Sequence, residues 1–283
     1  MEYMITLGCH SDNFGLLSGE ETFSFISRLG FSFIDVSTRS FTSQEKIILD
    51  YKKEAANIKM LSEKYLLYPE ELFLGEVEIS GDKPHFLPEE EGKKNELLKN
   101  FNKICLFAKM AGFKSIMASP CNEVKELGFS SSFDKAVQRH EALIKIADEN
   151  GISYHVEPTR TSLINTPEKA LEMAKILPKL RYTLDFLHFQ INGILQKDVM
   201  VLIPHTGHMH ARQAKKGTGK CSYDEGELDF NAIMAELHKN NWQGNICMEF
   251  WNGPAENDAG INPVDQNILM RFELKKLIKK YYC

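Results

Sequence analysis

Short apolar runs alternate with amphipathic stretches along the whole chain. Residues 5–10 read as a first strand, 20–29 as a helix and 31–36 as a second strand. Ser43 opens a long helical stretch, with Glu45 and Lys46 in its first turn. Residues 72–80 alternate apolar and polar positions and predict the third strand, while 81–91, rich in Gly, Pro and Glu, predict a loop. A helix over about 95–110 ends near Gly112, and 115–119 is the fourth strand. A helix from Ser132 stops at Asn150-Gly151, a pair suited to a left-handed C-cap. The second half is sharper. Strands are predicted over 152–157, 182–186, 206–211 and 245–250. Thr166 and Pro167 mark a helix start as N-cap and first helical residue. A loop rich in Gly and Lys covers 215–220, and 228–240 and 264–280 are helical.

Eight strands alternating with roughly eight helices predict an α/β fold, a single (β/α)8 TIM barrel occupying 1–283 as one domain. The 283 residues suit one barrel of about 250 residues, and no Pro/Ser linker or low-complexity block divides them. Hydrophobic residues at 43% and charged residues at 26% are ordinary for a soluble globular chain. A net charge of −5 argues against a nucleic-acid partner, which calls for a basic surface. The first residues lack a basic segment and a long apolar run, so neither a secretory signal nor a membrane partner is expected. The six cysteines are scattered without a CxxC pair, which fits a reduced, cytoplasmic setting and buried thiols. The basic residues at 275–280 suit the C-terminal end of a helix.

Four strand-like segments of the second half end in side chains able to hold a metal. Pro158 cannot continue a ladder, which puts Glu157 at a strand end; the plain alternative is a loop glutamate paired with Arg160. Asp185 lies in an apolar run, where its charge is costly unless compensated; the alternative is an Asp185–His188 pair bracing a turn. His208 and His210 are two apart and share one face of a strand. His210 is nearer the C-terminal end and is the candidate ligand, with His208 one layer deeper. Glu249 ends another apolar strand, and Trp251 on the same face either walls a pocket or packs the rim. A barrel gathers strand C-termini around one mouth, where its active site sits. Glu157, Asp185, His210 and Glu249 are therefore expected to share one divalent metal ion. Three carboxylates and an imidazole suit Mn²⁺ first, with Mg²⁺, Co²⁺ or Zn²⁺ as alternatives. His188, His10, Arg212, Lys216 and Trp251 are the candidate substrate contacts. Asp12 and Arg39 are further rim candidates, each equally able to serve a turn or an ion pair. Lys215, Lys216 and Lys220 would meet a phosphate or carboxylate, or form a solvated loop.

The strand-end Glu157, the Asp-x-x-His at 185–188, the His-x-His at 208–210 and Glu249 resemble the signature of the xylose-isomerase-like TIM-barrel superfamily of sugar isomerases and epimerases. The resemblance extends over the layout of the whole chain and is most specific from 152 to 251. It implies that the four ligands bind one divalent metal, that Glu157 and Glu249 form the catalytic acid/base pair, and that His188 contacts substrate. The implied reaction is isomerisation or epimerisation of a sugar or sugar derivative by proton abstraction next to a carbonyl, through a metal-stabilised enediolate. Metal polarisation contributes several kcal/mol, and positioned acid/base groups about 10²–10⁴-fold in rate. Dimers and tetramers are common in that superfamily, which leaves a homo-oligomer open.

Two positions depart from the ketose 3-epimerase pattern. Leu163 stands where those enzymes carry a second glutamate, and Lys216 where they carry an arginine. Both family residues bind the sugar, so the departures speak against a free ketohexose as substrate. Three alternatives remain: a metal-dependent lyase or dehydratase on a keto-sugar, keto-inositol or C-glycoside; a repair nuclease like the endonuclease four family; and a non-catalytic sugar-binding barrel. The nuclease family's Asp-x-His has no counterpart in residues 223–227, which contain no histidine.

Overall fold

The computed structural model describes residues 5–15, 17–39, 41–79, 82, 84–219, 221–250 and 260–282. Its strands are β1 (Leu7–His10), β2 (Phe33–Ser37), β3 (Tyr68–Gly75), β4 (Ser115–Ala118), β5 (Ser153–Val156), β6 (Arg181–Asp185), β7 (Thr206–Ala211) and β8 (Ile246–Met248). Each pairs in parallel with the next, and β8 pairs with β1. The result is the expected closed (β/α)8 barrel. Its helices are α1 (Gly19–Arg28), α2 (Gln44–Tyr65), α3 (Glu91–Ala111), α4 (Gly128–Asn150), α5 (Pro167–Ile176), α6 (Phe186–Ile191), α7 (Gln196–Val199), α8 (Phe230–Lys239) and α9 (Pro263–Tyr282).

Local chemistry explains most boundaries. The Ser43 hydroxyl accepts from the Lys46 backbone N–H and starts α2. Thr166 caps α5 in the same way, with Pro167 as its first residue. Gly151 ends α4 at φ 74°, a left-handed conformation that costs glycine little.

Two predicted strands are corrected. The third begins at Tyr68 rather than 72 and stops at Gly75. Glu70 and Glu71 interrupt the apolar pattern there, yet Glu71 points into the barrel and is 1% exposed. The sixth ends at Asp185 rather than 186, because the Asp185 side chain caps α6. The five described cysteines are free and buried, and burial pushes the Cys105 thiol up to about 12. Among the described residues no helix is long and apolar enough to cross a membrane.

Candidate metal centre and its cavity

All four predicted ligands stand at the C-terminal mouth. Glu157 follows β5 directly, and Asp185 closes β6. His210 is next to last in β7, and Glu249 comes one residue after β8. One ligand atom from each lies within 4.8 Å of the others, and all four residues are buried.

Three buried carboxylates at this range repel one another, so their partners decide their state. Arg212 Nε donates to Asp185 Oδ2 at 2.8 Å, and its Nη2 is 3.1 Å from Glu249 Oε2. His210 Nδ1 is 3.1 Å from Glu157 Oε1 and 3.2 Å from Glu249 Oε2. His188 Nε2 is 3.6 Å from Glu157 Oε1. Asp185 Oδ1 accepts from the Leu187 backbone N–H at 2.8 Å. Burial pushes Glu157 up, but His188 and His210 outweigh it and hold the carboxyl at about 2. Burial also acts on Glu249, where Arg212 and His210 win and keep it well below the carboxylate range. Burial prevails at Asp185 and raises it against the pull of Arg212. For His210, burial is overcome by Glu249 and its other acidic neighbours, which lift it well above 6.5.

Charge balance tests whether a cation fits. Arg212 and a protonated His210 bring two positive charges against three carboxylates. A divalent ion in place of the His210 proton brings three against three. His210 Nδ1 already faces the carboxylate oxygens, so its lone pair would face an ion shared with them. This oxygen-rich donor set fits a divalent metal.

Two of the four, Glu157 and Glu249, open onto a cavity of about 410 Å³, within the range of small-molecule sites. Glu157, Glu249, His188 and Arg212 line it. Phe73, Met117, Leu187 and Ile191 add apolar wall, and Ser119, Asn122, Thr159 and Thr161 add neutral polar groups. Of the other predicted contacts, His10 is fully buried and does not line the cavity. Its ring packs edge-on to His210 at 5.7 Å, and its Nδ1 accepts from the Asp12 backbone N–H. Lys216 is exposed and off the cavity wall; its side chain lies over Gly193. The structure therefore does not bring Lys216 to the ligands. Arg39 does line the cavity. Trp251 and Lys220 lie outside the described residues.

A second polar layer lies one step deeper and was only partly anticipated. His208 Nε2 meets Asp35 Oδ2 at 2.7 Å. Glu71 Oε1 meets His155 Nδ1 at 2.5 Å and the Ser115 hydroxyl at 2.7 Å, while Oε2 accepts from Thr183. Asp35 and Glu71 carried the same signal as Asp185, a carboxylate inside an apolar strand, and were missed.

The chain belongs to the xylose isomerase-like TIM barrel family, whose profile matches residues 23–267. No curated protein matches it in sequence. Its fold is shared with a D-psicose 3-epimerase solved in the presence of D-fructose, at 14% identity, TM-score 0.75, and coverage of 97% of this chain and 99% of the other. It is shared with the IOLI protein solved with a zinc atom, at 15% identity, TM-score 0.74, and 98% and 99% coverage. A 3-keto-D-glucoside 4-epimerase from E. coli aligns at 17% identity, TM-score 0.69, and 95% and 99% coverage. At these identities the likeness establishes the fold.

Proposed function

We propose that this chain is a divalent-metal-dependent isomerase or epimerase of a sugar or sugar derivative. The observation that carries the reading is the convergence of Glu157, Asp185, His210 and Glu249 on one buried point beneath a cavity of sugar size. The three solved relatives support it, two being named as sugar epimerases and one holding zinc. Mn²⁺ is the ion we assign first, with Mg²⁺, Co²⁺ and Zn²⁺ able to occupy the same donors.

When bound, the metal withdraws charge from a carbonyl oxygen and so acidifies the neighbouring C–H. The chain's own residues do the rest. Glu157 and Glu249 are held ionised by their neighbours, so each can accept a proton at neutral pH. They arise from β5 and β8, on separate sides of the mouth. One removes the proton and later loses it to solvent; the other first takes a proton from solvent and delivers it on the opposite face, inverting the carbon and exchanging its hydrogen with water. If one carboxylate serves both steps, the proton moves to the neighbouring carbon and the product is an isomer. His188 steadies Glu157, and Arg212 fixes Asp185 and Glu249. The apolar wall displaces water from the reacting carbon.

The test is metal content by elemental mass spectrometry on untagged protein, joined to solvent-deuterium uptake by ketose substrates. About one divalent ion per chain, lost in the His210→Ala, Glu249→Gln double variant, is the expected result. A chain that holds no metal even after reconstitution defeats the reading. A product lighter by one water, or a released aglycone, assigns the same residues to a lyase.

A further inference from the structure

We infer that Asp35 is a positioning residue of the metal centre. Its carboxylate, one layer below the candidate ligands, receives the Nε2–H of His210 and so fixes which ring nitrogen is left for the ion. This rests on the proposed function and adds a residue that tunes the same centre. The His210 ring spans the two polar layers. Its Nδ1 faces Glu157 Oε1 at 3.1 Å and Glu249 Oε2 at 3.2 Å. Its Nε2 faces the deeper layer, 3.7 Å from Asp35 Oδ2, too far for a hydrogen bond. Asp35 and His210 are both buried, and Nε2 makes no hydrogen bond among the described residues.

Coordination chemistry makes that nitrogen matter. A neutral imidazole carries one ring proton, and the nitrogen that binds a metal carries none. With Nδ1 turned to the carboxylates, the ion takes Nδ1 and the proton stays on Nε2. A buried N–H without an acceptor is costly, and the other tautomer would put a proton where the ion belongs. Asp35 is placed to supply the acceptor. Its Oδ1 takes the Glu71 backbone N–H at 3.1 Å, which holds the carboxylate with Oδ2 toward the histidines. Oδ2 already meets His208 Nε2 at 2.7 Å, and a carboxylate oxygen can take a second donor. The gap to His210 exceeds an ordinary N–H···O contact by only about 0.8 Å, which a small turn of the ring closes. A hydrogen bond to a charged oxygen also makes Nδ1 the stronger donor to a metal.

The experiment is titration of metal-free wild type, Asp35→Asn and His208→Gln with Zn²⁺ against a competing chelator. It is joined to ¹⁵N NMR of the histidine rings of wild type with and without Zn²⁺, a diamagnetic stand-in for Mn²⁺. Asp35→Asn should weaken Zn²⁺ binding about 10–100-fold. His208→Gln disturbs the same Asp35–His208 pair but leaves the carboxylate beside His210, so its affinity should stay within about threefold of wild type. A purely structural role for Asp35 predicts equal losses in the two variants. Zn²⁺-loaded wild type should show His210 with one ring proton, on Nε2, moved downfield and slow to exchange with water. That spectrum requires no variant to fold. Asp35→Asn binding Zn²⁺ as tightly as wild type, equal losses in both variants, or a His210 Nε2 without a proton would each overturn the assignment. Wild type that binds Zn²⁺ with an unmoved Nε2–H signal removes the role of Asp35 and keeps the metal centre. Wild type that binds neither Zn²⁺ nor Mn²⁺ removes the proposed function and this role together.

Discussion

Two polar layers lie one above the other inside this barrel. On β5, β6 and β7 the residues are paired two apart: His155 below Glu157, Thr183 below Asp185, His208 below His210. The lower layer is satisfied from within. Its carboxylates, Asp35 and Glu71, each meet an imidazole, and the spare oxygens take the Glu71 backbone N–H and the Ser115 and Thr183 hydroxyls. Gly207 makes room for it, since a Cβ there would come 2.5 Å from His155 Nε2. The upper layer is not balanced. Three carboxylates crowd one guanidinium and two imidazoles, His210 and His188. Burial is equal in the two layers, so burial does not separate structure from function. The excess of one sign of charge does.

The comparison breaks first at its top. Glu157→Gln should lower deuterium exchange by about 10²–10⁴-fold, because it removes a proton acceptor. The same variant should cost only about 1–2 kcal/mol of unfolding free energy in the absence of metal, because it loses the charge that His188 and His210 stabilise but keeps an oxygen to meet His210. A large loss of stability, measured by urea denaturation, would make the upper layer structural too.

The lower layer should show the opposite pattern. Glu71→Ala leaves His155 buried without its carboxylate and should cost about 3–5 kcal/mol in the same measurement. Metal content per folded chain should stay at the wild-type level.

His140 sharpens the contrast as a buried imidazole that meets no carboxylate among the described residues. Its Nδ1 meets the Tyr154 hydroxyl at 2.9 Å, and burial, aided by Arg139, pulls it down to about 3. His208 is buried as deeply and is raised instead, because Asp35 and Glu71 overcome its desolvation. The unfolded chain protonates His140 near 6.5, while the folded chain refuses the proton until about 3. Stability is therefore full above 6.5 and falls as pH drops between those values, by up to about 1.4 kcal/mol per pH unit. Between pH 7 and pH 5 the wild type should lose about 2 kcal/mol more than His140→Gln in paired denaturation curves. Equal losses would mean that His140 is already protonated in the fold.

The smallest effect is expected at Lys216, which lies off the cavity wall. Lys216→Ala should change stability and turnover by no more than about 0.5 kcal/mol, checked by denaturation and steady-state rates.

Much of the candidate site was legible because each candidate ligand advertised itself locally. A carboxylate or imidazole at the end of an apolar run stands out, and Pro158 marked where the strand must stop. The same signal at Asp35 and Glu71 could not be sorted. Their partners, His208 and His155, are 173 and 84 residues away, and only closure of the barrel brings them together. Among the basic candidates, Arg39 and Arg212 line the cavity and Lys216 does not. The lysine-rich run at 215–220 is conspicuous in sequence, whereas Arg39 and Arg160 are isolated arginines in separate loops. Both reach the cavity.

The sequence by itself determined what depends on near neighbours: the alternation of strands and helices, the caps at Ser43, Thr166 and Gly151, and which side chains end each strand. Those features rest on backbone geometry and hydrogen bonds that close over a few residues. Tertiary structure decided which buried charges find a partner and which are left in excess. That balance is a sum over groups far apart in the chain, and it acquires a value only when the closed barrel sets the distances between them.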